Sequence, residues 1–277
     1  MKLEKYSHHF IFYGVAILVP WALWFAAAAI SHSQVGEVRS WMIFASVLGV
    51  LGICAPMTTA FALILPDKDM REELKSACFS FKGINWKWFV FILCFPFAVI
   101  LSAQAITLLF GHSAEQFRFV ESFSFRAGIF PAWFLMGLAP ILEELGWKSY
   151  GINCLRRRFN IFTDSVIFGL IWGIWHMPTS FIKGYYQSGL VETGIVYSIN
   201  FYISVIPGAI ILIWIYYHTR RNIILQIIFH SLLGYSMEMF RTHPDSKLVH
   251  TIILLVFCVV IILRDRKFFF DKNAEGE

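Results

Sequence analysis

Charge is what this chain has least of. Asp, Glu, Lys and Arg together make up 15% of its 277 residues, against about 25% in an ordinary soluble domain. No stretch is long and polar enough to form a separate soluble domain. The apolar runs lack period-two alternation, which excludes the strands of a membrane β-barrel. The five cysteines (Cys54, Cys78, Cys94, Cys154, Cys258) include no Cys-x-x-Cys pair. Four of them lie in or at the end of apolar runs, so they read as small hydrophobes and not as a disulfide or zinc framework. There is no helical His-Glu-x-x-His motif, and no internal repeat or inverted symmetry of the kind that marks a transporter.

What is present is hydrocarbon. Hydrophobic residues account for 58% of the chain and the mean hydropathy is +0.65. Apolar runs of about twenty residues recur, which defines an all-α, polytopic membrane helix bundle. The sequence predicts eight spans, at about 10–30, 41–65, 88–110, 129–155, 163–181, 194–217, 223–240 and 248–263, within a single transmembrane domain over 1–277. The first is long for a signal-peptide core and no cleavage pattern follows it, so it counts as a span. Sixteen Lys and Arg residues fall in the N-terminus, alternate connections and C-terminal tail, and six in the other connections. That asymmetry predicts a multi-pass protein of the cell membrane with both termini in the cytoplasm. The formal charge of +5 has the same origin. No basic stretch is interleaved with exposed aromatics, so the lipid bilayer is the expected partner and nucleic acid is not.

Within this apolar background, a few ionisable groups lie at membrane depth. Glu143 and Glu144 follow an apolar segment running from Ile129 to Leu142. At 1.5 Å per residue, Glu143 lies roughly 20 Å along its helix from Arg156, His176 roughly 20 Å from Thr163, and His230 roughly 10 Å from Ile223. All three fall inside a hydrocarbon layer about 30 Å thick. Ionisable groups there are costly and mark functional sites by default. Pro140, three residues ahead of Glu143, predicts that the helix opens just before the carboxylates.

Each residue also has a plainer reading. A single membrane histidine is more often a helix–helix hydrogen-bonding group, and a Glu pair often only snorkels. Phe168 and Trp172 are explained by packing. Lys148, four residues after Glu144, suits a helix-surface partner or a snorkelling cation. Taken together, one shared polar site accounts for all of them more economically. A carboxylate in a low-dielectric pocket suits a general base, and two imidazoles can orient water, hold a metal or donate to an oxyanion. Glu143, His176 and His230 also make a Glu-plus-two-His set of the kind zinc takes. The residues alone leave glutamate-driven and metal-dependent hydrolysis both open, with no cofactor required and zinc as the candidate metal.

Glu143-Glu144 with a basic residue at 148, an aromatic four residues before His176, and the later His230 together resemble the CPBP family. That family comprises CAAX prenyl endopeptidases and bacteriocin-processing or immunity proteins, also called Abi. Glu-Leu-Gly-Trp-Lys at 144–148 and Trp-Gly-Ile-Trp-His-Met-Pro at 172–178 carry the likeness, over about 131–235. The resemblance implies that Glu143 is the general base, that His176 helps to hold the attacking water, that Glu144 assists, and that His230 helps to stabilise the oxyanion. Lys148 and Trp172 take supporting places. Three positions depart from the family pattern: Lys148 stands for Arg, Trp172 for Phe, and Gly234 for the Asn four residues after the last His. The expected activity is intramembrane endopeptidase cleavage of a peptide or membrane-protein substrate. The alternatives are a non-enzymatic membrane immunity or regulatory protein on the same scaffold, and a proton-coupled transporter using the same groups as a relay.

Overall fold

A computed structural model describes residues 3–123, 125 and 129–272; Lys2 and Arg126, two of the charges counted above, lie outside them. The chain is a polytopic helical bundle. Its main elements are α1 (His9–His32), α2 (Arg39–Ile64), α3 (Lys68–Phe79), α4 (Trp86–Leu108), α5 (Ala132–Gly146), α6 (Ile152–Arg156), α7 (Ile161–Trp175), α8 (Tyr186–Thr193), α9 (Ile195–His218), α10 (Ile223–Glu238), α11 (Pro244–Arg264) and α12 (Arg266–Phe270). Among the described residues there is no strand, only one isolated antiparallel bridge between Phe119 and Phe240.

Every one of the eight apolar stretches folds as helix, but they are not equivalent. Among the described residues, five helices (α1, α2, α4, α9, α11) are long and apolar enough to cross a membrane individually, and a sixth span arises if the bent pair after Ile161 is one crossing. α10 is apolar but shorter. The fourth stretch is divided by a π-helical turn over Trp147–Gly151. The fifth is not one straight helix: α7 ends at Trp175, a 3-10 turn covers Met177–Phe181, and α8 departs at 77°. Pro178 explains why α7 gives way to the 3-10 turn, since it removes a backbone donor and disfavours helical geometry in the residue before it; the 77° bend itself falls between Phe181 and Tyr186, where Gly184 is left-handed at φ +81°.

Helix starts follow local chemistry. The Asn85, Asn160 and Asn222 side chains accept backbone N–H bonds from Lys87, Thr163 and Leu225 at the starts of α4, α7 and α10, satisfying donors left free in a first turn. Pro20, Pro56, Pro96, Pro140 and Pro207 lie inside helices, whereas Pro131 caps α5 and Pro178 lies in the 3-10 turn. The expected opening at Pro140 does not occur: α5 runs unbroken through it, and the irregular turn comes after the carboxylates.

Close helix contacts hold the carboxylate-bearing helix in place. A Cβ on Gly146 would lie 2.4 Å from the Pro56 carbonyl carbon, so only glycine permits α5 to lie this tightly on α2. Across the bundle, a Cβ on Gly169 would sit 3.0 Å from the Ile206 Cα, bringing α7 onto α9. Such small-residue approaches are the usual means of packing helices in lipid. Below the carboxylates Trp147, Phe12, Tyr150 and Trp175 fill a fully buried aromatic core.

Candidate active site

α5 delivers Glu143 and Glu144 at its C-terminal end, both buried. Consecutive helical residues point about 100° apart, so the two carboxylates face different surroundings. Glu143 lines a cavity of about 520 Å³, together with Trp172, His176, His230 and Gly234. Its Oε2 accepts a hydrogen bond from Trp172 Nε1 at 2.7 Å. Glu144 does not line the cavity. Its Oε1 lies 2.9 Å from His230 Nδ1, and its Oε2 lies 3.0 Å from Lys148 Nζ. The lysine contact is an ion pair and not a directed hydrogen bond, because neither atom completes one in this geometry.

Lys148 is fully buried, 0% exposed. It lies four residues after Glu144 on the same helical segment, and its ammonium sits 4.8 Å above the centre of the Phe168 ring. Its backbone carbonyl accepts from Tyr216 at 3.0 Å. The family's usual arginine would present a wider, forked head; here a compact ammonium fits between one carboxylate and one ring face.

His176 caps the C-terminus of α7 and leads into the 3-10 turn over Met177–Phe181. Its Nδ1 lies 2.7 Å from the Trp172 carbonyl. A carbonyl only accepts, so Nδ1 carries the proton and Nε2 of the neutral ring is an acceptor. His230, on α10, has Nδ1 directed at Glu144; donation to that carboxylate likewise leaves its Nε2 to the cavity. Trp172 meets each of the cavity-facing polar groups. Beyond its bond to Glu143, its ring meets His176 at 5.6 Å and His230 edge-on at 5.1 Å, and stacks on Phe168 at 5.8 Å.

All six residues singled out from the sequence therefore come together around one cavity wall: Glu143, Trp172, His176 and His230 on its surface, Glu144 and Lys148 behind it. The cavity is otherwise mostly apolar, with Leu135, Met136, Phe201 and Leu233 among its lining. Glu143, His176 and His230 do not offer three donor atoms all within 4.8 Å of one another; among the described residues His112, His243 and Asp245 alone do so. Zinc ligands at 2.0–2.2 Å in a tetrahedron are separated by about 3.4 Å, a closer spacing than these three residues show.

Sequence reasoning missed a second polar pair on the same cavity, buried Glu238 with half-buried Lys247. Lys247 Nζ lies 2.8 Å from Glu238 Oε1 and 3.3 Å from the Tyr186 hydroxyl. A carboxylate at the end of an apolar run and a lysine at the start of the next were the available signal. Asn200 also lines the cavity, with its amide donating to the Lys247 carbonyl at 3.2 Å.

Residues 124–236 match the model of the type II CAAX prenyl endopeptidase Rce1-like family, a segment holding all six residues. A CAAX prenyl protease 2 from Methanococcus maripaludis is 33% identical over 270 residues, 97% of each chain. Lysostaphin resistance protein A from Staphylococcus haemolyticus is 24% identical over 184 residues, covering 66% of this chain and 46% of that one. Fold and likeness together define a multi-pass membrane endopeptidase. The chain belongs to the Rce1-like, type II CAAX prenyl endopeptidase family.

Proposed function

We propose that the chain hydrolyses a peptide bond inside the membrane with water activated by Glu143. The observation that carries this reading is the pairing of Glu143: it faces the cavity shared with His176 and His230, and its hydrogen-bonding partner is a neutral indole N–H, not a cation. Glu143 takes a proton as water adds to the scissile carbonyl, and returns it to the leaving amine. His176, held by its Nδ1 proton on the Trp172 carbonyl, accepts from the same water through Nε2. His230 faces the developing oxyanion and donates from Nε2 when its ring carries both protons. Glu144 acts through His230 as a positioning residue, and Lys148 balances its charge. The mechanism uses no metal step.

For substrate, the mostly apolar cavity beside the carboxylate suits a peptide bearing a lipid thioether, in line with the prenyl protease named among the relatives. The excess of Lys and Arg on one set of connections supports termini in the cytoplasm, the side on which such a peptide would be presented. The test is cleavage of matched prenylated and unprenylated peptides by purified wild type and Glu143→Gln. Cleavage by the wild type alone, faster on the prenylated peptide, is expected. Equal cleavage by both proteins would overturn the role of Glu143.

Gly234 supports a second reading, a regulatory or immunity protein. It stands one helical turn after His230 on the cavity wall, where a Cβ would meet only Met136 at 3.8 Å, so the family's asparagine amide is missing from an open position. Lack of cleavage of any peptide by the wild type, with the fold intact, would favour that reading.

A further inference from the structure

A second polar constellation lies at the end of the bundle where α4 stops and α11 starts. Gly111, at φ +87°, closes α4 with a turn in which the His112 N–H bonds the Thr107 carbonyl at 3.3 Å. A left-handed residue at this place is the usual helix stop, and it favours glycine. The turn directs His112 back over α11. There its Nε2 lies 3.2 Å from Asp245 Oδ2. His243, which caps α11, places Nδ1 3.6 Å from the same oxygen, and the two imidazole rings are 4.1 Å apart, centre to centre.

We propose that His112, His243 and Asp245 bind a divalent transition-metal ion of the zinc type, bracing the rim of the cavity. This goes beyond the proteolysis proposed above and does not depend on it. Three observations support it. First, the spacing fits. Bonds of 2.0–2.2 Å in a tetrahedron put ligand atoms about 3.4 Å apart; the separations of 3.2 and 3.6 Å bracket that edge, and all three donor atoms lie within 4.8 Å of one another. Second, the carboxylate is already oriented. Tyr197 donates to Asp245 Oδ1 at 2.7 Å, leaving Oδ2 toward the histidines, as outer partners orient metal ligands. Third, the segment carrying His112 is fixed from beneath. Buried Gln116 and Gln104 bond each other, Ser246 donates to Gln116 at 2.6 Å, and Ser246 also meets Thr107 at 2.8 Å. A network of this kind holds both sides of the site before any ion arrives.

Two imidazoles and one carboxylate suit zinc, cobalt or nickel better than calcium or magnesium, with the fourth position open to water. His243 Nδ1 also accepts the Asp245 N–H at 3.2 Å; metal binding would transfer that lone pair to the ion. Because Tyr197, Thr242, Pro244 and Lys247 line the cavity, an ion here would stiffen its wall without entering the Glu143 site.

The experiment is zinc uptake by the full-length, untagged protein in detergent after chelator treatment, read by elemental analysis and titration. Wild type and His176→Ala/His230→Ala are expected to bind the same number of ions, and His112→Ala/Asp245→Asn one fewer per chain. Tyr197→Phe should weaken uptake about 10–100-fold. No uptake by the wild type, equal uptake after His112→Ala/Asp245→Asn, or loss only in His176→Ala/His230→Ala would overturn the proposal. Cobalt in the wild type gives a readout independent of variant folding: intense four-coordinate visible bands are expected, and a weak six-coordinate spectrum counts against the site.

Discussion

Glu143 and Glu144 are neighbours in sequence and strangers in environment. One faces an apolar cavity with an indole N–H as its hydrogen-bonding partner; the other stands behind the wall between a buried lysine and a histidine. The helix separates them by about 100° of rotation, enough to place one on the cavity and the other against the protein interior. The difference suggests that charge is handled in two ways here. Glu144 is neutralised and fixed, which stabilises the site's framework, while Glu143 is left with weak pairing, which suits a group that must exchange a proton.

The sharpest way to break that contrast is to remove each negative charge while keeping the shape. Glu143→Gln can still accept from Trp172, so the thermal transition should hardly move while cleavage falls by about 10²–10⁴-fold, the usual share of a general base. Glu144→Gln should lose mainly stability, with a smaller fall in cleavage through His230. It strands the buried Lys148 charge, and loss of one partner of a buried pair costs about 3–5 kcal/mol, read as a lowered melting temperature. Glu144→Gln/Lys148→Met should recover part of that loss, because no orphan charge remains. If the two Gln variants lose stability and activity in the same proportion, the carboxylates are not divided as described. Trp172→Phe, which restores the family's ring but deletes the donor to Glu143, should slow cleavage by about 10–100-fold, the worth of a hydrogen bond to a charged group of about 1.5–3 kcal/mol. Gly234→Asn should have the smallest effect, a gain in rate of at most about tenfold, since an added amide is not aimed as an evolved oxyanion donor would be.

Much of this was legible in the sequence. Hydropathy located the long helices, because a backbone in lipid must bond to itself and a helix does so without help, but of the eight expected spans only five, or six with the bent pair, are long and apolar enough to cross among the described residues. Depth along the helices put Glu143, His176 and His230 all inside the hydrocarbon layer, though not at one level. Which carboxylate faces the cavity was not legible, since it depends on helix rotation set by the Gly146–Pro56 contact far along the chain. Pro140 was a misleading signal: the ladder tolerates it, and the wide turn falls at Trp147–Gly151, where no proline stands. Pro178 marks where α7 gives way to a 3-10 turn, but the sequence alone did not show that His176 would end α7 and face the cavity from its cap. The Glu238–Lys247 pair and the His112–His243–Asp245 cluster escaped notice because their members lie at span ends, where polar residues need no special explanation.

The Glu144–Lys148 pair lies within one helical segment, four residues apart, whereas His230 is 86 residues further along the chain. During synthesis the segment leaves the ribosome with that pair already able to form. It can therefore enter the bilayer carrying one unpaired carboxylate in place of three bare charges, well before the helix that completes the site has been made. In a membrane that penalises each isolated charge, the spacing of a lysine one turn after a glutamate belongs to the protein's biogenesis as much as to its finished fold.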